Sequence, residues 1–501
     1  MKIMDKNSKN FSLIVLLLNI NLFILAFFSL FLGYEEDIFN IFFVLNIVTY
    51  IYGFLTGRID KLRPDFVIFS TSFFSYFLNY HINYGYFIKV YNQESIHLSL
   101  SYISLFLSLF LIIFNISLVS MNSIKSSGKD VKSIILNNQL SFKFLNDGFV
   151  FLIIFSSNLL YLFFVITGYK TIHTATVTAS YIDIPFFFSL NMNFLSLIIA
   201  YYYLLFKDKK KLSVKLTIYF LFIVNLLNVL LSGSKAGLIS LIFPFIFIYY
   251  YYYNKLNIKH FFIVLIVLEI IILLTPIISV YREYVTFSSR TSISIYERIN
   301  IVKNIFSSID FNEFIGAINN SLIILLGRLG MMDALIRTVD LTGSTLPFQE
   351  GKTIFPHLII SILPRFIYPD RMETNIGKWF GYNYGFTSSY DQAYISLGMP
   401  GEFFLNFGIY GIVFAFFTSF IISLTYIIFY KNRRNILCFL VYYLIFTTFI
   451  LPYNETYFVA SIVTFIKNLV TILIILMIFK LIFACFTKIV GDKSSEKSVI
   501  N

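Results

Sequence analysis

Residues 11 to 32 read FSLIVLLLNINLFILAFFSLFL, an apolar run without a charged side chain. A helix of about 20 such residues is long enough to cross the hydrocarbon core of a bilayer, which is roughly 30 Å thick. The run is longer than the core of a signal peptide, and no small-residue cleavage site follows it. We therefore expect it to remain in the protein as the first membrane span.

Eleven further apolar runs follow, so the sequence predicts an all-α polytopic membrane protein with about twelve transmembrane helices. The composition agrees, because 58% of the 501 residues are hydrophobic and only 13% are charged, whereas about a quarter of the residues in a soluble domain are charged. The predicted spans are 11–32, 38–56, 66–88, 98–120, 147–168, 184–206, 213–232, 236–253, 260–280, 403–430, 435–451 and 458–484.

Lysine and arginine residues fall on alternate sides of these spans. The cation-rich segments are 2–9, 58–63, 125–143, 207–215, 255–259, 431–434 and 480–497. The short loops between them carry at most one cation each, such as Lys89 or Lys170. Since cations near helix ends stay in the cytoplasm, both termini are predicted to be cytoplasmic. The same clusters explain the net charge of +12, and nucleic-acid binding is not expected.

A loop of about 120 residues separates the ninth and tenth predicted spans, and loops of this length usually carry function. The cation count places it outside the cytoplasm, and its aromatic and glycine content predicts an ordered lid or small domain. Within it, residues 315–339 have the apolar period of an amphipathic helix. The chain thus divides into nine spans (1–280), the extracytoplasmic loop (281–402), three spans (403–485) and a cytoplasmic tail (486–501).

The loop contains an unusual number of arginines for this side of a membrane. Arg365 and Arg371 lie beside prolines that stiffen the chain, and a guanidinium binds phosphate oxygens bidentately. We predict that these two arginines bind a phosphate group, with Arg290, Arg328 and Lys235 as secondary contacts. The alternative is that the arginines pair with neighbouring carboxylates or with lipid headgroups.

Several side chains of the loop could act as a general base. His357 is its one histidine, and an imidazole titrates close to neutral pH. Glu402 stands at the start of the tenth span and is the second candidate. The other carboxylates considered are Asp333, Glu350, Asp370 and Asp391. No cluster of histidines, cysteines or carboxylates has the spacing of a metal site, so neither a metal nor a cofactor is expected.

Three segments in the second half of the chain resemble one membrane-protein family. Pro364-Arg365-Phe366-Ile367-Tyr368-Pro369 is followed by the glycine-aromatic stretch Gly377 to Tyr384. Gly401-Glu402-Phe403-Phe404-Leu405-Asn406-Phe407-Gly408-Ile409-Tyr410-Gly411 then begins the next span. This order resembles polysaccharide repeat-unit polymerases of the O-antigen polymerase (Wzy) type. The Ser232 to Gly237 turn also resembles a Ser-Gly-Ser-Arg/Lys turn of that family.

The resemblance implies a GT-C-like glycosyltransferase in the bacterial inner membrane. Its substrates would be undecaprenyl-diphosphate-linked oligosaccharides, polymerised into O-antigen or capsule on the extracytoplasmic side. Membrane lipids, a chain-length regulator and a flippase of the same pathway would be its partners. Two alternatives remain at this point. An O-antigen ligase, or another lipid-linked glycosyltransferase, has a similar arrangement, and a flippase or secondary transporter commonly has twelve spans.

Overall fold

A computed structural model describes residues 6–60, 62–126, 330–362, 376–390, 394–430 and 436–496, together with scattered single positions between 127 and 329. The chain forms two compact units. One contains Met1–Asn137 and Leu325–Lys467, and the other contains Asn138–Ile324 and Asn468–Asn501. Most of the described residues belong to the first unit. The five spans predicted between 147 and 280 lie outside the continuously described ranges.

The described residues are mainly helical. Their bounds are α1 (Lys6–Leu32), α2 (Glu35–Leu55), α3 (Pro64–Ser72), α4 (Asn79–Val90), α5 (Gln93–Ser126), α6 (Met332–Leu341), α7 (Phe355–Ile362), α8 (Gly377–Asn383), α9 (Gly398–Phe407), α10 (Val413–Thr425), α11 (Ile436–Ile445) and α12 (Phe458–Glu496). Three π-helical segments continue or join them: Phe73–Leu78 between α3 and α4, Tyr426–Tyr430 after α10, and Phe446–Ile450 after α11.

Five of the described helical segments are long and apolar enough to cross a membrane: Asn10–Leu32, Glu35–Leu55, Gln93–Ser120, Gly398–Tyr430 and Phe458–Ile478. Their surfaces expose large apolar side chains, as lipid-facing helices do. Phe31 of α1, for example, is 73% exposed. The prediction of an all-helical membrane protein is thereby confirmed. Two further predicted spans, 66–88 and 435–451, coincide with the joined α3–α4 helix and with α11 and its π segment.

The predicted tenth span, 403–430, differs from its prediction because it is broken near its beginning. Gly408 adopts a positive φ of +59° and ends α9, after which a 3-10 turn leads into α10. A Cβ at Gly411 would lie 2.6 Å from the carbonyl oxygen of Phe403, so the turn folds tightly against α9. The two glycines therefore convert an apolar run that reads as one helix into two helices.

The N-terminal helices meet at a buried ion pair. Arg63 precedes Pro64, which favours an extended backbone at Arg63 and begins α3 at the proline. The guanidinium donates to both carboxylate oxygens of Asp65, with Nε–Oδ1 and Nη2–Oδ2 distances of 2.7 and 2.8 Å. Both side chains are almost fully buried. Such a pair is stable only if its remaining hydrogen-bonding capacity is also satisfied.

Side chains from three other helices supply those bonds. Arg63 donates to Ser12 Oγ of α1 at 3.0 Å and to Asn115 Oδ1 of α5 at 2.5 Å. The Tyr50 hydroxyl of α2 donates to Asp65 Oδ2 at 2.9 Å. The ion pair thus joins the beginning of α1, the end of α2 and the later part of α5 at one end of the bundle.

The C-terminal spans are attached at the same end. Tyr430 donates its hydroxyl to Asp60 Oδ2 at 2.5 Å, and Tyr442 donates to the Leu62 carbonyl at 2.6 Å. Both acceptors lie in the turn before α3, which the distribution of cations assigns to the cytoplasm. The end of the tenth span and the beginning of the eleventh therefore lie beside that turn.

Replacing Arg63 with alanine should destabilise the protein by about 3–5 kcal/mol, because Asp65 is left buried without its cation. The matched control is Arg58→Ala in the same turn, where a partly exposed arginine lies 5.0 Å from the ring centroid of Tyr52. Thermal unfolding of the purified protein in detergent measures both variants. Equal unfolding temperatures for the two would contradict a central role for the Arg63–Asp65 pair.

Candidate functional site

The described part of the large loop folds onto the end of α4, the beginning of α5 and the end of α9. We call residues 330–362, 376–390 and 394–397 the cap. Its apolar core is shared with α9 and with the turn before α12, so the cap and the spans form one packed structure. The core residues are Ala334, Ile376, Phe380, Tyr384, Leu397, Leu405 and Tyr457.

The polar segment Gln349 to Thr353 is bound to the end of α9. Gln349 N–H donates to the Leu405 carbonyl at 3.1 Å, and Glu350 N–H donates to the Asn406 carbonyl at 3.0 Å. The last carbonyls of a helix have no partner within the helix. The cap satisfies two of them at the point where Gly408 ends α9.

The Asn406 side chain completes this attachment. Its Oδ1 accepts from Gly351 N–H at 2.9 Å, and its Nδ2 donates to Thr353 Oγ1 at 2.7 Å and to the Glu402 carbonyl at 2.8 Å. Asn406 is 1% exposed, so each bond is made away from water. One amide thereby fixes both the segment and the last turn of α9.

The backbone of this segment has two residues with positive φ. Gly351 has a φ of +82°, and a Cβ there would lie 2.5 Å from the ring of Phe355. Glu350 has a φ of +49°, a conformation uncommon for a residue with a side chain. Its side chain is exposed. Strained positions of this kind often occur in functional loops, which makes the segment a candidate for substrate contact.

A second polar cluster lies where α6 meets the end of α4 and the beginning of α5. The Tyr91 hydroxyl donates to Asp333 Oδ1 at 2.7 Å, and Ser95 Oγ donates to Asp340 Oδ1 at 2.8 Å. Between them on the same face of α6, Arg337 donates from Nε to the Tyr384 carbonyl at 2.7 Å. We call Tyr91, Asp333 and Arg337 the α6 cluster.

The α6 cluster has unusual electrostatics. Burial raises the pKa of Asp333 from its ordinary value of 3.8, and the hydrogen bond from Tyr91 and the charge of Arg337 oppose that rise only in part. Burial and the contact with Asp333 also raise the pKa of Tyr91, so its hydroxyl keeps its proton. A carboxyl group perturbed in this way is a candidate for proton transfer.

Glu402, a predicted base, lies inside the protein. It is 1% exposed, and its Oε2 accepts from the backbone N–H of Phe458, the first residue of α12, at 2.5 Å. A carboxylate at a helix N-terminus satisfies an unpaired N–H group and interacts favourably with the helix dipole. This contact gives Glu402 a structural role in joining α9 to α12.

His357 lies on α7, directly after the Gln349 to Thr353 segment, and its side chain is partly buried. It is therefore close in sequence to the strained Glu350 and to the segment that α9 anchors. Five predicted phosphate-binding residues lie outside the described residues, so their prediction is not tested by the structure. They are Arg365, Arg371, Arg290, Arg328 and Lys235. Within the described residues, no group of three or more histidine, cysteine or carboxylate side chains could hold a metal ion.

Sequence reasoning missed the partners that the N-terminal half supplies to the cap. Tyr91 and Ser95 lie in and just after a short loop, where the sequence gives no indication that they face a helix about 240 residues away. Asp333 and Arg337 are four residues apart, a spacing that places them on one helix face. That spacing is the feature of the sequence from which the α6 cluster could have been predicted.

No protein-family model, curated protein or solved structure matches this chain.

Replacing Asn406 with aspartate should loosen the Gln349 to Thr353 segment, because aspartate keeps an acceptor for Gly351 N–H but loses both donated bonds. We expect a loss of about 1–3 kcal/mol and faster amide hydrogen exchange in residues 349–354. The control is Asn383→Asp, an exposed asparagine whose one described bond is to the Trp379 carbonyl. Unchanged exchange in the Asn406 variant would contradict the attachment.

The pH dependence of unfolding should report on Asp333. Its pKa is higher in the folded than in the unfolded protein, so the folded state binds the proton more tightly. The free energy that this tighter proton binding contributes to folding is present below pH 3.8, the ordinary pKa, and is lost as the pH rises through the raised pKa of the folded protein. An Asp333→Asn variant should therefore gain stability relative to wild type as pH increases over this range. A constant difference in unfolding temperature would contradict the shift.

Proposed function

We propose that the protein polymerises undecaprenyl-diphosphate-linked oligosaccharide repeat units into a surface polysaccharide on the extracytoplasmic side of the bacterial inner membrane. The observation that supports this proposal is the apolar core of the cap. Phe380 and Tyr384 belong to the glycine-aromatic stretch that resembles the polymerase family, Leu405 belongs to the Gly401 to Gly411 segment, and the three side chains lie in one core. Two of the segments that carry the resemblance therefore pack together.

The proposed architecture is GT-C-like, with twelve spans and both termini in the cytoplasm. The positions of the described helices are compatible with it. Asn115 lies beside the Arg63 pair at the cytoplasmic end, whereas Gly398 begins α9 at the opposite end, next to the cap. The chain between them must cross the membrane an odd number of times, and five crossings are predicted there. The cap then faces the side on which flipped lipid-linked units arrive.

In the proposed reaction, an acceptor hydroxyl oxygen bonds to the anomeric carbon of the donor glycan. The bond from that carbon to the diphosphate oxygen breaks, and undecaprenyl diphosphate leaves with the bonding electrons. Arg365 and Arg371 are proposed to stabilise the diphosphate, with Arg290, Arg328 and Lys235 as secondary contacts, because preorganised cations favour a developing anion without a metal. The base receives the proton of the acceptor hydroxyl.

His357 remains the first candidate base. Because Glu402 already accepts a backbone hydrogen bond inside the protein, we propose Asp333 of the α6 cluster as the second candidate. The Glu402→Gln variant separates a structural role of this side chain from a role as general base. Glutamine can still accept the hydrogen bond from Phe458 N–H but cannot take up a proton. We expect this variant to retain polymerisation, whereas His357→Ala should lose most of it.

The glycan ladder of cells lacking the gene tests the proposal. Deletion should reduce the ladder to a single repeat unit, and the wild-type gene should restore it. Arg365→Ala should restore it poorly, whereas the cytoplasmic control Arg58→Ala should restore it fully, provided that immunoblots show equal amounts of both proteins in the membrane. We expect Arg365→Ala to lose about 2–4 kcal/mol of transition-state stabilisation. A loss of this size slows the reaction enough to cause a large decrease in the amount of polymer.

Other outcomes would support different functions. Full-length polymer that accumulates on undecaprenyl lipid after deletion would indicate a ligase. Loss of all extracytoplasmic glycan, with lipid-linked units retained on the cytoplasmic side, would indicate a flippase or transporter. An unchanged ladder would contradict all three assignments.

A further inference from the structure

Helix α7 has an apolar face that no residue of the cap covers. It reads FPHLIISI and contains no formally charged side chain. Phe355 and Ile359 are 54% and 72% exposed, and their spacing of four places them on one face. Ser361 is fully buried and His357 is partly buried, which identifies the opposite face as the one that packs on the protein.

The depth of α7 in the membrane follows from the tenth span. Tyr430 at the end of this span is bound to Asp60 in the turn assigned to the cytoplasm. The helix from Val413 to Tyr430 rises about 1.5 Å per residue, or roughly 27 Å in total, close to the roughly 30 Å of a hydrocarbon core. The turn at Gly408–Ile412 therefore lies at the outer boundary of the hydrocarbon.

Helix α7 begins at the same level. A Cβ added to Gly351 would lie 2.5 Å from the Phe355 ring and 3.5 Å from the Phe407 ring, so these two rings flank one glycine. Phe407 is the residue just before the Gly408 turn. The hydrogen bonds from Gln349 and Glu350 to the end of α9 hold the start of α7 there.

Large apolar side chains are also exposed in the turn before α10 and on α10 itself. At the outer end of that span, Tyr410 is 79%, Val413 52% and Phe417 53% exposed. Basic residues stand on both sides of α7 in the sequence, with the exposed Lys352 before it and Arg365 after it. Flanking cations interact favourably with lipid headgroups, and an apolar face between them inserts at the boundary between headgroups and acyl chains.

We propose that α7 lies in the outer leaflet of the membrane, with Phe355 and Ile359 inserted among the lipid acyl chains. The opposite face then holds His357 toward the protein at the level of the lipid headgroups. This inference rests on exposure and depth and does not depend on the proposed polymerase activity. It identifies the lipid surface itself as the partner of the α7 face.

Tryptophan fluorescence in brominated lipids tests this contact. The chain has one tryptophan, Trp379, which packs against the cap core. In a Trp379→Phe background, Ile359→Trp should lose fluorescence in nanodiscs of lipids brominated near the headgroup end of the acyl chain. Bromines near the terminal methyl should quench it less, because an interfacial helix is only about 5–10 Å deep. Phe355→Trp should behave in the same way and serves if Ile359→Trp does not fold.

The matched control is Tyr382→Trp in the same background, which places the reporter on α8, where Tyr382 is 50% exposed. We expect little quenching there at either bromine position. Nanodiscs that hold one copy of the protein prevent a second copy from covering α7. Quenching of Ile359→Trp no stronger than that of the control would overturn the proposal, and so would stronger quenching by the deep bromines than by the shallow ones.

Discussion

A helix that ends near the hydrocarbon core of a bilayer leaves carbonyl groups that water does not easily reach, and those groups need partners within the protein. Helix α9 ends at Gly408, within a segment long and apolar enough to cross a membrane. The chain meets the requirement with Gln349 and Glu350, whose N–H groups bind the last carbonyls, and with the Asn406 amide, which fixes the same segment. The cap is consequently attached to the spans by hydrogen bonds as well as by its apolar core.

The two ends of the bundle are built by different chemistry. At the end that the distribution of cations assigns to the cytoplasm, the Arg63–Asp65 pair is enclosed by hydrogen-bonding side chains of three helices, and Tyr430 and Tyr442 attach the C-terminal spans to the adjoining turn. At the opposite end, the α6 cluster and the α9 attachment hold a cap that exposes Glu350, Lys352 and the apolar face of α7. The exposed surface of the cap is therefore held by hydrogen bonds to three helices.

The sequence predicted the membrane class and the five described segments that are long and apolar enough to cross a membrane, because apolar run length is a direct consequence of bilayer thickness. It did not predict the break in the tenth span, since Gly408 and Gly411 barely change the hydropathy of the run. Arg63 was counted only as a cation that sets topology, because its partners Ser12 and Asn115 are about 50 residues away in either direction. Glu402 is a predicted base because a carboxylate near a loop suggests reactivity, and that role stays a prediction. Its contact with Phe458 depends on tertiary structure that spacing does not reveal.

The account requires the cap to lie outside the cytoplasm and the Arg63 turn to lie inside it. The most direct measurement is labelling of single cysteines in intact cells with a membrane-impermeant maleimide, after Cys438 and Cys485 are replaced by serine. Lys352→Cys, which is exposed in the cap, should react without permeabilisation, whereas Arg58→Cys should react only after it. Labelling of Lys352→Cys only in permeabilised cells would invert the topology and contradict both the position of the cap and the function proposed for it.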